Sequence, residues 1–308
     1  MNGVDRLSGK IIGLGATSVF FALLFGVSYR MWFLAPVPGR TILLAAAAIV
    51  WLSIAGLSAF FVKGARVATG MVLLQAVAVW AFLPEPFSFW SISGILLLAI
   101  FLWGGLARGR ADLTNSLKVR FLHAAERAMP VMMTGLILFA TLSFLGASER
   151  PDAAAPKSVL QFLFKSSDSL TARFIPGFSS GKSFDEVLHA IVASRLPEGT
   201  SSEVINRDVD KTRTAIEKAT GISISGQNKF VDELYKISVA KLVSLPSFAR
   251  VLTLTVIGFL IFGLIKGIAF FAVWVVVGLM LLFFEVLRAM NFFHIGSESV
   301  SQEAIIID

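Results

Sequence analysis

The chain has 308 residues, of which 56% are apolar and only 15% are charged, and its mean hydropathy is +0.79. A soluble domain carries about 25% charged residues, so this composition excludes an ordinary soluble protein. The sequence has no cysteine, which excludes disulfides and thiolate metal sites. The formal charge of +7 is compatible with nucleic-acid binding, but the placement of lysine and arginine described below explains it without a nucleic-acid partner.

Long apolar runs predict transmembrane helices. The first five runs cover residues 11–29, 42–62, 67–83, 87–106 and 129–147. Another apolar stretch covers residues 248–287, which as one helix is about 60 Å long, twice the hydrocarbon thickness of about 30 Å. We therefore expect it to fold as a hairpin of two spans that turns at Gly263, Lys266 and Gly267. The total is about seven transmembrane helices.

The placement of lysine and arginine in short loops predicts the orientation in the membrane. With seven spans, the opposite short segments hold only Arg30, Arg40 and Arg288. We therefore expect a multi-pass protein of the cytoplasmic membrane of a prokaryote, with a cytoplasmic N-terminus and with residues 148–247 and the C-terminus extracytoplasmic. The basic residues on the predicted cytoplasmic side are Arg6, Lys10, Lys63, Arg66, Arg108, Arg110, Lys118, Arg120, Arg127 and Lys266.

The polar region at residues 148–247 contains three predicted helix starts of one type. In each, a serine or threonine is followed three residues later by glutamate or glutamine, which is the pattern of a capping box. A fourth helix is expected from residue 227 to about residue 244, before Pro246. The three capping pairs are Ser158 with Gln161, Ser183 with Glu186, and Thr200 with Glu203. The region is therefore predicted to be a small helical bundle.

Taken together, these patterns predict an all-α, polytopic helical membrane protein with an inserted small extracytoplasmic helical bundle. Four parts are expected along the chain. Residues 1–147 form a five-helix transmembrane region, and residues 148–247 form the extracytoplasmic helical domain. Residues 248–289 form a transmembrane helical hairpin, and residues 290–308 form a polar C-terminal tail.

One segment resembles a phosphate-binding loop, namely residues 177–183 with the sequence GFSSGKS. The phosphate loop requires four residues between its glycines, and only three separate Gly177 from Gly181. Ser183 is better used as a helix cap, because Glu186 stands at the reciprocal position. We therefore expect no nucleotide binding at Lys182.

Few other residues suggest chemistry. His123, His189 and His294 are scattered without the spacing of a zinc protease. Gln75 is a polar residue near the middle of the third apolar run. Near the end of the last apolar run, Glu285 and Arg288 are spaced to form an ion pair. The basic amphipathic segment at residues 107–128 has two interpretations, a helix on the membrane surface or a loop whose charges only set the topology.

The sequence thus predicts no catalytic, cofactor-binding or metal site and no cofactor, and it favours a protein that is not an enzyme. Its expected partners are the lipid bilayer and another membrane or envelope protein, without nucleic acid, and the sequence does not define an oligomeric state. The favoured hypothesis is an envelope scaffold or complex subunit whose extracytoplasmic helical domain contacts a partner. The alternative is a transporter or channel subunit, against which the scarcity of mid-membrane charges argues.

Overall fold

The structure is a computed structural model that describes residues 9–62, 64–114, 121–148, 157, 161, 164–165, 168–175, 177–197, 199–298 and 302–307. It divides into two compact units. The membrane unit consists of Met1–Gly146 and Ile257–Asp308, and the insert unit consists of Ala147–Val256.

Helices make up most of the described residues. In chain order they are α1 (Gly9–Leu34), α2 (Pro38–Phe61), α3 (Ala65–Trp80), α4 (Phe89–Thr114), α5 (Phe121–Ser148), α6 (Asp168–Phe174), α7 (Phe184–Ala193), α8 (Ser202–Thr220), α9 (Phe230–Ser244) and α10 (Ser247–Ala289). Two strands follow, β1 (Phe293–Glu298) and β2 (Gln302–Ile307), which pair antiparallel with Phe293 opposite Ile307. The polar tail expected at residues 290–308 is thus a β-hairpin where the chain is described, and the remainder agrees with the prediction of a helical protein.

Five helices of the described chain are long and apolar enough to cross a membrane: α1, α2, α4, α5 and α10. The prediction of a multi-pass helical membrane protein agrees with this finding. Helix α3 is also apolar but has only 16 residues, a length of about 24 Å. The count of seven spans is not confirmed.

The predicted hairpin at residues 248–289 is a single helix. Helix α10 runs without a break through 43 residues, so the turn expected at Gly263, Lys266 and Gly267 is wrong. A glycine in a helix interior costs only about 1 kcal/mol relative to alanine, and lysine is a good helix former. The segment contains no proline, so nothing in it forces the backbone to leave the helix.

The beginning of α1 and the end of α10 lie together at one end of the membrane unit, which we call the proximal end. The Lys10 ammonium donates a hydrogen bond to the Phe292 carbonyl over 3.0 Å, and the rings of Phe121 and Phe284 lie 4.4 Å apart. The expectation of termini on opposite sides follows from counting two crossings in residues 248–289. Helix α10 is unbroken and Lys10 contacts Phe292, and the sides of the two termini in a membrane stay a prediction.

The core of the membrane unit is closely packed around one buried polar pair. The Trp51 indole N–H donates to the Gln75 side-chain oxygen over 2.9 Å, and both side chains are buried. The Trp51 ring also stacks on Phe25 at 5.1 Å between centroids. At Gly56 the neighbouring side chains of Met129 and Met280 leave no room for a Cβ atom. Gln75, which the sequence places mid-span, therefore has a structural hydrogen bond.

In the insert unit, the starts of α7 and α9 are joined to each other. Ser183 and Lys229 form an isolated antiparallel bridge, and the rings of Phe184 and Phe230 stack at 5.5 Å and 15°. The capping box of Ser183 and Glu186 is confirmed, with both reciprocal hydrogen bonds present. The Ser183 backbone N–H donates to the Glu186 carboxylate, and this hydrogen bond, followed by the one from the Ser183 side chain, lowers the pKa of Glu186.

The other predicted starts differ from the structure or lie outside the described residues. Thr200 does not cap a helix, because its hydroxyl donates to the Pro197 carbonyl at 2.7 Å and α8 begins after Ser201. Ser158 lies outside the described residues. The fourth predicted helix begins at Phe230 instead of residue 227 and ends as expected at Ser244.

The segment predicted as a basic surface helix, residues 107–128, is divided between two long helices. Helix α4 continues to Thr114 and α5 already begins at Phe121. Arg127 and Asp112 form an ion pair at 2.6 Å. In the part of the segment that is described, the basic residues thus lie on the ends of α4 and α5, which corrects the surface-helix interpretation.

The single passage of α10 predicts the sides of two labelled positions. Cysteines introduced at Ser201 and at Ser297 are expected to react with an impermeant thiol reagent from opposite sides of the membrane, because one helix crossing separates them. The measurement is labelling of right-side-out and inside-out vesicles. Equal labelling of both cysteines from one side would support the two-span hairpin instead.

Candidate functional site

A groove of about 400 Å³ lies between α5 and α10 in the membrane unit. Two ionisable side chains line it, Glu126 on α5 and Lys266 on α10, and its other walls are apolar. The apolar lining residues are Pro130, Met133, Ala269, Phe270, Val273, Trp274 and Val277. The volume falls within the range of ordinary ligand sites, which are mostly apolar with a few placed polar groups.

The Lys266 amine lies midway between the two ends of the membrane unit. It donates a hydrogen bond to the Thr134 hydroxyl oxygen. Along α5, Thr134 is about 20 Å from Phe121 at the proximal end and about 17 Å from Leu145 at the other end. Leu145 is also the residue against which Gly258 of α10 packs. For a hydrocarbon layer about 30 Å thick that α5 crosses along its length, this position would be near the middle.

Thr134 is held by its own helix in the orientation that receives the amine. Its hydroxyl donates to the Pro130 carbonyl over 2.6 Å, which leaves the oxygen lone pairs available to Lys266. Pro130 stands inside α5 and has no N–H, so the Glu126 carbonyl lacks its usual helical donor. The turn that forms the α5 wall of the groove is therefore more polar than an uninterrupted helix would be.

Lys266 has no counter-ion within the described part of the chain, where no carboxylate lies within ion-pair distance of its amine. Glu126 lines the same groove, but it is two helical turns from Thr134, or about 12 Å along α5. A charged lysine at the centre of a transmembrane helix costs about 2.5–3.5 kcal/mol on insertion scales. The neutral Thr134 hydroxyl offsets only part of this cost.

The α10 side of the groove is accessible from outside the bundle. Phe270 is 63% exposed, Trp274 is 54% exposed, and the adjacent Phe271 is 72% exposed. In a membrane, these large apolar side chains face either lipid or another protein. The groove is therefore open laterally, toward the plane of the bilayer.

The sequence interpretation missed this site because it assigned Lys266 to a turn. The available signal was one lysine near the middle of an apolar run of about forty residues, where ionisable residues usually have a function. The ion pair expected between Glu285 and Arg288 is present at 3.7 Å, but both side chains are more than half exposed. Such a pair contributes little stability.

In the loop that resembles a phosphate-binding loop, hydrogen-bond donors are bound to acceptors of the protein itself. The Lys182 amine donates to the Gly177 carbonyl over 2.8 Å. The Ser180 N–H donates to the Asp168 carboxylate over 3.1 Å, and the Ser183 N–H donates to Glu186 over 2.7 Å. The Asp168 carboxylate thus accepts from both the N–H and the hydroxyl of Ser180, and the absence of nucleotide binding here stays a prediction.

The histidines remain separate. His123 on α5 and His189 on α7 are exposed, and the side chain of His294 lies outside the described residues. Within the described ranges, no group of three or more His, Asp or Glu residues is arranged to hold a metal ion. Absence of a metal site in the whole chain stays a prediction.

Comparisons of the chain with known protein families, with curated proteins and with solved structures find no match. The geometry of the groove is therefore the basis for a functional proposal. Its central feature is an amine at mid-depth that is bound to a neutral hydroxyl.

Replacing Thr134 with valine tests the contact between the two helices. We expect a loss of about 0.6 kcal/mol in the free energy of unfolding, the average for an interhelical hydrogen bond in a membrane protein. Unfolding by sodium dodecyl sulfate in mixed micelles measures it. Thr17→Val is the matched control, because the Thr17 hydroxyl bonds only to the Gly13 carbonyl of its own helix. Equal stability of the two variants would contradict the contact.

Proposed function

We propose that the protein is a non-enzymatic subunit of a membrane-protein complex and that it contacts another membrane protein through the groove between α5 and α10. The observation that carries this proposal is the Lys266 amine beside the middle of α5, whose one hydrogen-bond partner among the described residues is the neutral Thr134 hydroxyl. A buried charge is stable when it is paired. A second membrane protein in the groove provides both the apolar cover and the counter-charge.

The proposed location is the cytoplasmic membrane of a prokaryote, with six crossings formed by α1 to α5 and α10. Both termini are then cytoplasmic, and the insert unit is extracytoplasmic. The charge distribution supports this topology: with six crossings Arg288 joins the basic side, and the opposite short segments keep only Arg30 and Arg40. Trp32 and Trp80, which follow or end outward-running helices, fit an aromatic belt at the outer interface.

The insert unit gives the proposed subunit a second surface for contact with an envelope protein. Its sequence range 148–247 carries 13 basic and 12 acidic residues, a balance that does not favour a polyanion such as nucleic acid. Phe174 at the end of α6 is 79% exposed. An apolar side chain at a helix end on this unit is suited to a protein partner.

A transporter or channel subunit is the second candidate function. The presence of Lys266 and Glu126 in one groove favours it, because intramembrane ionisable residues commonly line proton or ion pathways. Against it stands the packing of the core. Gly56 is enclosed by Met129 and Met280, and Trp51 is fully buried. A closely packed interior of this kind favours a subunit of a complex over a protein that moves a solute or ion through its core.

Native electrophoresis of the tagged chain in mild detergent tests the proposed function. We expect the wild-type chain in a complex with at least one different membrane protein, and we expect Lys266→Met to lose that protein. Lys241→Met on the exposed side of α9 is the control and should leave the complex intact. The contrary result is a monodisperse single species that conducts protons in liposomes, with a flux that Lys266→Met abolishes.

A further inference from the structure

We propose that the groove between α5 and α10 receives a transmembrane helix of a different protein, and that this helix carries an aspartate or glutamate at mid-depth whose carboxylate pairs with the Lys266 amine. The inference rests on the proposed function and names the chemistry of the partner. Three observations support it: the depth of the Lys266 amine, the positions of the acidic residues of this chain near helix ends, and the spacing of the α10 residues that line the groove.

The depth of the amine decides between a helix and a lipid. Lipid headgroups and the carboxylates of fatty acids lie at the interface, about 15 Å from the middle of the hydrocarbon layer. Thr134, which accepts the Lys266 hydrogen bond, is about equally far from both ends of α5. A transmembrane helix is the element that brings a carboxylate to this depth, because its backbone is satisfied internally.

The sequence excludes a second copy of this chain as the source of the carboxylate. Within the six apolar helices of the membrane unit, the acidic residues are Asp112, Glu126 and Glu285. Asp112 is in the last turn of α4, Glu126 is in the second turn of α5, and Glu285 is in the last turns of α10. All three are near helix ends, so a copy cannot present a carboxylate at the depth of Lys266.

The face of α10 that lines the groove has the spacing of a helix-packing surface, and its exposed members are Phe270 and Trp274, whereas Val277 is buried. Phe270, Val273, Trp274 and Val277 line the groove at positions i, i+3, i+4 and i+7, which form one stripe along a helix. Ala269 beside them is buried in the core of the membrane unit, so Phe270 and Trp274 form the accessible part of the stripe. Lys266 stands one turn before Phe270, so a helix packed along the stripe meets the amine.

Synthetic transmembrane peptides test the inference on the purified full-length chain in nanodiscs. The probe is a leucine–alanine helix with one central glutamate, and the matched probe has glutamine at that position. A photo-crosslinking amino acid in place of Phe270 reports occupancy of the groove. We expect the glutamate peptide to crosslink about fivefold to thirtyfold more strongly than the glutamine peptide, from the interaction energies of polar groups in model membrane helices.

The variants of Lys266 complete the design. Lys266→Met should abolish the preference for glutamate, and Lys266→Arg should retain it, because arginine keeps the charge. Lys266→Glu should instead prefer a peptide with a central lysine, which guards against a general loss of folding. A glutamate peptide whose carboxylate is moved to one end of the helix should crosslink no better than the glutamine peptide.

Three results would overturn the inference. The first is equal crosslinking of glutamate and glutamine peptides to the wild-type chain. The second is labelling of the groove by a photoreactive fatty acid that depends on Lys266, in the absence of any peptide preference. The third is a covalent dimer of this chain formed from Phe270 without peptide. If the native complex still depends on Lys266 in any of these cases, the proposed function is retained, and the inference that the partner helix carries a carboxylate is rejected.

Discussion

Backbone hydrogen bonding in hydrocarbon is the constraint on which the membrane unit depends. Within the bilayer no water is available for an unpaired N–H or C=O group, so a chain that enters it stays helical unless a specific residue breaks it. Helix α10 contains no such residue over 43 positions. It is therefore long and apolar enough to cross as one element, and its Lys266 lies beside Thr134 of α5. The shared end of α1 and α10 and the lateral groove are consistent with one unbroken helix, and the proposed topology rests on it.

At the groove, an ionisable side chain occurs within a helix that is otherwise apolar. Most of α10 is apolar and exposed, as a lipid-facing helix should be, yet it includes one amine without a counter-ion among the described residues. Elsewhere in the core, Trp51 and Gln75 satisfy each other, whereas the buried hydroxyls of Ser18 and Thr141 are uncharged groups without a hydrogen-bond partner among the described residues. Residues that break a local rule without an internal compensation are expected at functional sites. Lys266 is such a residue, and the insert unit gives the same protein a second surface for assembly.

The sequence predicts those features that depend on composition or on a short local pattern. Helices α1, α2, α4 and α5 follow from apolar runs of membrane length, and the start of α7 follows from the reciprocal pair Ser183 and Glu186. Glycine and lysine were not sufficient signals for the turn expected in residues 248–289, because a helix interior tolerates both residues, and the segment is one unbroken helix. Thr200 has the capping pattern, but its hydroxyl bonds backward to Pro197. To predict the groove, one must know which helix packs beside α5, and a single sequence does not contain that information.

The depth of residue 266 in a bilayer tests the account most directly. A nitroxide attached to a cysteine at position 266 reports its depth through the ratio of its accessibility to oxygen and to a water-soluble nickel complex. Labels at Phe248, about 27 Å from residue 266 along α10, and at Met290, just past the other end of the helix, provide references outside the hydrocarbon layer. The account predicts that the label at position 266 is deeper than both references and is poorly accessible to nickel. High accessibility to nickel at position 266 would place it in an aqueous turn and would contradict both the single passage of α10 and the intramembrane site.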